Sequence, residues 1–447
     1  MIVIAGGDIV LPDRILTSAS LIIDSERIGA VEPAARVDSP GATLVDASDC
    51  YVVPGFIDVH VHGVEGHDTL NEGDPVAAIA AFLPQYGVTS FCPTTVACAP
   101  DALRGVLKQV ATLRANRPPA SARVLPAHLE SNFINPEYRG AQPADCLRMP
   151  PVENAGRKGP RRTSLSDDRM SSADAARTSA DAARAFSADA ARTFLTAEAR
   201  SAKAVTVREG DFSARDILDV IAGARADVGI VTLAPELPGG IDLVRALVSA
   251  GHRVSLGHTG ASLDEAMAAI DAGARHATHL FNRMAPITHR APGVAGAVLA
   301  RDEVAAELIC DGYHVHPSMS RIAIASKGVG RIMAITDGTA GAGLAVGANA
   351  TLGGRRIRVT DRAAILDDGT LAGSTLTMDR AFRTIVTIFG FSVSEASVLC
   401  STTPAKELGL AGFGVLAEGG VADVVILDRQ FIVVRTFING APVFARE

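Results

Sequence analysis

The chain contains no tryptophan and few other aromatics, 4 Tyr and 15 Phe in 447 residues. Its core must therefore be built mainly from Ala, Val, Ile and Leu, small side chains that suit close packing of helices on strands. Its six cysteines (Cys50, Cys92, Cys98, Cys146, Cys310, Cys400) form no C-x-x-C pair and no regular framework. That excludes a paired-cysteine zinc or redox motif and a disulfide scaffold, and scattered thiols fit a reducing compartment. Basic charge is not in excess: the formal net charge of -7 provides no global field for nucleic-acid phosphates. The opening stretch, MIVIAGGDIVLPDRILTSASLII, lacks the basic and then apolar regions of a signal peptide. No apolar run reaches the roughly 20 residues of a membrane helix. These absences predict a soluble cytoplasmic protein without nucleic-acid or membrane partners.

What is present has a clear order. Residues 1 to about 54 read as short strands broken by Gly, Asp and Ser, and the stretch from about Ala422 reads the same way. Between them lie eight apolar stretches running into loops: FIDVHVH, TSFCPTT, RVLPAHLE, GIVTLAPE, RVSLGHT, HATHLFN, AELICDGYHV and RIMAITDGT. Helical patterns such as DPVAAIAAFLPQYG, DLVRALVSAG and SLDEAMAAIDAG separate several of them. Eight strands alternating with helices predict an α/β fold, a (β/α)8 TIM-like barrel over 55–357. A small β-sandwich domain built from both chain termini, 1–54 and 358–447, is expected beside it.

One segment does not fit the barrel. Residues 154–206 open with the basic run Arg157–Arg162 and continue with three copies of Ser-Ala-Asp-Ala-Ala-Arg starting at Ser172, Ser179 and Ser187. Each copy sets Asp three residues before Arg, an ion-pair spacing on a helix, but large apolar residues to anchor it are scarce. It is expected to be a surface insertion, with a partner-binding arm as the alternative.

The chemistry is carried by histidines and acids at the ends of the expected strands. His60 and His62 alternate on one strand and so share a face. Glu130, His258 and His279 end the third, fifth and sixth stretches, and Asp337 ends the eighth. Imidazole and carboxylate are ligands for a catalytic divalent metal, and a lone carboxylate suits a proton shuttle. Each residue alone has a bland reading: a satisfied core histidine, a capping acid, a helix N-cap. Their occurrence together at successive strand ends points to a metallohydrolase.

The surrounding blocks sharpen this. VVPGFIDVHVHG, HLESNFINPEYRGAQ, the long run from SLGHTGASLDEAM to HLFNRMAPITHRAPGVAGAVL, ICDGYHV, ITDGT and GTLAGSTLTM resemble the N-acetylglucosamine-6-phosphate deacetylase family of the amidohydrolase superfamily. The resemblance covers nearly the whole chain except 154–206. It implies hydrolysis of the acetamide of an N-acetylhexosamine 6-phosphate, giving acetate and the amino sugar phosphate. It further implies Glu130, His258 and His279 as ligands of the principal metal, His60 and His62 as ligands that admit a second ion, and Asp337 as the catalytic proton shuttle. One or two divalent ions are expected per subunit, zinc first, with iron or another metal as alternatives. The family pattern places Arg290 and His314 at the substrate phosphate, with Asn282, Met284 and Ala285 along the sugar-phosphate pocket. Because the arginine of relatives reaches into a neighbouring site, a homodimer is expected.

The chain also departs from the family pattern. It reads His128-Leu129-Glu130-Ser131-Asn132-Phe133 where relatives read H-L-E-G-P-F, and Gly140-Ala141-Gln142 where they end in a sugar-contacting His. Gln142 is expected to bind the sugar without charge, which leaves the hexosamine isomer open. An N-acyl amino acid deacylase or a cyclic amidase, and a non-catalytic relative, are the competing readings.

Overall fold

The computed structural model describes residues 1–35, 40–151 and 211–446. The basic run and the three repeats of the expected insertion lie outside these residues. Eight parallel strands make the barrel: β1 (Phe56–Val61), β2 (Val88–Thr95), β3 (Ala127–Glu130), β4 (Val228–Leu233), β5 (Arg253–Leu256), β6 (His276–Ala277), β7 (Ala305–Ile309) and β8 (Ile332–Ile335), each hydrogen-bonded to the next, and the two-residue strand Arg123–Val124 pairs with β2 as a ninth member of the sheet. They coincide with the eight apolar stretches of the sequence. Their residues are almost entirely buried, as strands with helices outside and packed side chains inside a barrel must be.

The seam between β1 and β8 is closed by side chains as well as backbone. Thr336 donates its hydroxyl to Asp58 at 2.6 Å and its N–H at 3.3 Å. The next residue, Asp337, donates its N–H to the His60 carbonyl at 3.0 Å. A helix follows each strand, and two of these starts carry Ser–acid capping boxes, Ser213–Asp216 and Ser262–Glu265; a third box, Ser392–Glu395, starts a later helix. The Ser262 box starts Leu263–Asp271, one of the helices expected from its pattern.

Both chain ends meet in one mixed sheet of eight strands. Its order is Ala441–Ala445, Val433–Ile438, Val424–Leu427, Tyr51–Pro54, Ile2–Val10, Ile15–Asp24, Arg27–Glu32, with Thr43–Asp46 also paired to Ile2–Val10. Ile4, Ile9, Leu21, Ile23, Val52, Val424 and Phe437 form its buried core. Arg123, just before β3, ties the barrel to this sheet through Asp423 at 2.7 Å and Asn439 at 2.6 Å.

The junction expected at 358 falls inside Arg355–Val359, the middle strand of a small antiparallel sheet with Asn349–Leu352 and Ala364–Leu366. Three helices then follow: Met378–Thr387, Val393–Ser397 and Thr403–Glu407. They pack on the barrel, with Phe382 stacked on Phe56 of β1 at 5.4 Å between ring centroids. The chain rejoins the terminal sheet only at Val424. The reason is local: Ala381, Phe382 and Ile385 make an apolar stripe at helical spacing that is buried against the barrel. No described helix is long and apolar enough to cross a membrane.

Candidate active site

The residues picked out at strand ends converge at the C-terminal mouth of the barrel, where barrel enzymes carry their chemistry. Glu130 ends β3, and its Oε1 lies 2.9 Å from His258 Nε2 and 2.8 Å from His279 Nε2. The two nitrogens are 3.1 Å apart. A second group of His60, His62 and Asp337 adjoins the first: Asp337 Oδ1 is 3.4 Å from His60 Nε2 and 3.3 Å from His62 Nε2. The Glu130 carboxylate faces both groups, 3.6 Å from His60 Nε2 and 3.5 Å from His62 Nε2.

The backbone at these positions is unusual. His258, His279 and Asp337 all have positive φ, 50°, 32° and 48°. That region is costly for residues with a Cβ, and the surrounding hydrogen bonds hold it. Asp337 is clamped on both sides, since its carbonyl accepts from the Ser374 N–H at 2.8 Å while its own N–H is spent on His60.

Tautomers follow from the partners. His258 Nδ1 is 2.9 Å from the Tyr138 carbonyl, which can only accept, so Nδ1 carries the proton and Nε2 presents a lone pair. His60 Nδ1 faces the Glu307 carboxylate at 2.8 Å and so carries a proton, which leaves Nε2 as the atom that can present a lone pair once a cation displaces its own proton. Lone pairs aimed at a neighbouring imidazole, His258 at His279 and His60 at His62 (3.2 Å), are satisfied by a cation placed among them. The nitrogen and oxygen donors fit a divalent metal ion. Burial lowers the His60 and His62 pKa values, yet Glu307 and Asp337 raise His60 to about 9, and Asp337 and Glu130 raise His62 to about 10. The negative potential that draws protons to these atoms also favours a metal cation.

Burial raises the Asp337 carboxyl as well, but His60 and His62 beside it outweigh this and hold it below the usual carboxylate range. It is therefore ionised at neutral pH and able to accept a proton.

A cavity of about 520 Å³ opens on this site. His62, Glu130, His258, His279 and Asp337 line it, as do Gln142, Asn282, Met284 and His314. Gln142 is nonetheless committed to the protein. Its carbonyl accepts from the Ala97 N–H at 2.7 Å, which turns its amide nitrogen toward Glu130, to which it donates. Asn282 is held by its own loop, donating to the His279 carbonyl at 3.3 Å. Ala285 lies beside the site without lining the cavity and donates its N–H to the Thr259 carbonyl at 3.2 Å. Arg290 is exposed and does not line the cavity of its own subunit.

Sequence reasoning passed over Glu307. This fully buried carboxylate of β7 accepts from His60, from His276 Nε2 at 3.0 Å and from the His279 N–H at 3.1 Å. Its signal was an acid inside the otherwise apolar run VAAELIC. His128 is also near it, 3.6 Å away, but burial pushes the His128 imidazole down to about 3. It stays neutral, bonded to the Val59 carbonyl at 3.0 Å and the Thr232 hydroxyl at 2.8 Å. The strand Asn349–Leu352 supplies Leu352 to the cavity wall, a contribution with no local sequence signal.

Metal-donor groups at the mouth of a parallel barrel, with an ionised aspartate beside them, belong to the metal-assisted hydrolases. Comparison with known proteins agrees. Residues 173–443 match the amidohydrolase family. The chain is 32% identical to the N-acetylglucosamine-6-phosphate deacetylase of Rattus norvegicus, over 99% of this chain and 91% of that protein. It is 29% identical to the N-acetylgalactosamine-6-phosphate deacetylase of Escherichia coli O157:H7, over 96% and 97%. A structure of the Mycobacterium smegmatis N-acetyl-D-glucosamine-6-phosphate deacetylase in complex with N-acetyl-D-glucosamine-6-phosphate superposes with a TM-score of 0.77 at 28% identity, over 99% of both chains. The chain belongs to the amidohydrolase family, in the branch that holds the N-acetylglucosamine-6-phosphate deacetylases.

Proposed function

We propose that the protein hydrolyses the acetamide of an N-acetylhexosamine 6-phosphate, N-acetylglucosamine 6-phosphate first, releasing acetate and the amino sugar 6-phosphate. The observation that carries this is the placement of Glu130, His258 and His279 beside Asp337 on one cavity. The relatives' activities support the substrate class, and the galactosamine-phosphate relative keeps the isomer open.

A divalent ion bound at this site would polarise the amide carbonyl and make water more acidic. Glu130, His258 and His279 would hold the principal ion, with His60 and His62 admitting a second; zinc is our first choice. Asp337 accepts the proton of the attacking water through its carboxylate. It then delivers that proton to the nitrogen of the leaving amine as the C–N bond breaks, because an unprotonated amine leaves poorly. Gln142 and Glu307 orient Glu130 and His60. His314 is proposed at the substrate phosphate, its Nδ1 bonded to Asp311 at 2.6 Å and its Nε2 without a partner among the described residues.

Arg290, exposed and outside its own cavity, supports a homodimer in which it reaches the neighbouring site. Six unbridged cysteines support a reducing, cytoplasmic location. The reading is tested by acetate release from N-acetylglucosamine 6-phosphate, its galacto and manno isomers, and unphosphorylated N-acetylglucosamine. Acetate from at least one phosphorylated sugar is expected, with a clear excess over the unphosphorylated one. Failure with all three phosphorylated sugars would sink it.

A further inference from the structure

Arg283 was not among the residues expected at the substrate, yet it lines the cavity together with His314 and Asn282. It is the only arginine or lysine among the described residues lining that cavity. Its guanidinium makes no ion pair or hydrogen bond with the described residues, although acids line the same cavity. A cation facing a cavity with no partner among the described residues is poised for an anion from outside.

The loop holds Arg283 in place. Its backbone is left-handed, with φ 52°. Its carbonyl accepts from the Thr259 N–H at 3.0 Å, one residue after His258. Its side chain lies over Gly140, where an added Cβ would come within 2.5 Å of the Arg283 Nε and 3.0 Å of its Cζ. Glycine at 140 thus leaves the notch that the guanidinium stem fills. Two residues on, Gln142 donates to Glu130, so one short segment adjoins both the cation and the metal-donor group. Arg283 is also close enough to His314 to oppose the raising of its pKa, which burial lowers and Asp311 and Asp337 raise. The two side chains line the same cavity.

We propose that Arg283 binds the phosphate of the substrate from within the same subunit, beside His314, and sets the preference for phosphorylated over unphosphorylated amino sugars. A guanidinium offers phosphate a paired set of N–H donors, which an ammonium cannot reproduce. This rests on the deacetylase reading above and adds to it a specificity residue on the chain's own side of the site.

The test compares wild type, Arg283→Gln and Arg283→Lys for kcat/KM on N-acetylglucosamine 6-phosphate and on N-acetylglucosamine, with inhibition by inorganic phosphate and metal content measured alongside. Arg283→Gln should lower the phosphorylated-to-unphosphorylated ratio roughly 30-fold, mainly through KM. It should weaken phosphate inhibition in parallel and retain wild-type metal content, and Arg283→Lys should recover part of the ratio. An unchanged ratio in Arg283→Gln, or an equal loss on both sugars, overturns the assignment while the deacetylase reading stands. A wild-type enzyme without preference for the phosphorylated sugar overturns both.

Discussion

Glu307 holds His60 through Nδ1 at 2.8 Å, and neither side chain is exposed to solvent. The same carboxylate takes His276 at 3.0 Å, so one acid beneath the site sets the orientation of a proposed metal ligand. Partners of this kind fix the ligand tautomer and raise its basicity.

Replacing Glu307 by Gln removes the charge and leaves one carbonyl to serve donors that now share two oxygens. Metal retention at the His60 group should weaken about 10- to 100-fold. Folding stability should fall by about 2 kcal/mol as buried donors lose their acceptor. Competition with a graded chelator reads the first effect and thermal melting the second; a variant that behaves as wild type in both would rule out the orienting role.

Asp337→Asn keeps the shape of the side chain but cannot accept a proton. We expect kcat to drop roughly 10²- to 10⁴-fold with metal content unchanged. Steady-state kinetics and elemental analysis of the same preparation check this, and turnover close to wild type would remove Asp337 from the mechanism.

The two histidine groups should separate on mutation. His258→Asn or His279→Asn breaks the group built on Glu130, so bound metal and acetate release should both be lost. His62→Asn leaves that group whole and should retain at least one ion per subunit. Metal stoichiometry distinguishes them, and equal loss from all three variants would contradict two separable groups.

Arg123 and Asp423 join the barrel to the terminal sheet, and the Asp423 side chain is only 4% exposed. Asp423→Ala removes the charge partner of Arg123 and leaves the guanidinium only Asn439 and Ser90, and should cost about 1–2 kcal/mol of stability. Urea unfolding gives the value, with activity at low temperature expected to persist because the pair lies outside the cavity. A change below about 0.5 kcal/mol would show the contact to be marginal.

The strands were legible because each is a short apolar run bounded by loops, and a parallel sheet covered on both faces needs that pattern. The helix Leu263–Asp271 was legible for a similar reason: the stretch SLDEAMAAIDAG carries its apolar residues at helical spacing. The same locality explains the junction placed at 358. Hairpins around Arg355 look like the terminal strands, and nothing short-range in Met378–Glu407 says which surface its apolar stripe will cover.

Residue type and strand-end position were thus determined by the sequence alone: six imidazoles and carboxylates at five strand ends, which suffice for a metal-assisted hydrolase. Which of them share an atom was decided by tertiary structure. Glu130 meets His258 and His279 only because β3, β5 and β6 are brought to one mouth by barrel closure. Gln142 turns to Glu130, Glu307 to His60, and Arg283 over Gly140 across separations of 12 to 247 residues where hydrogen bonds join them. Pairings of that kind depend on strand register and closure, and local sequence patterns do not encode the distance between residues so far apart in the chain.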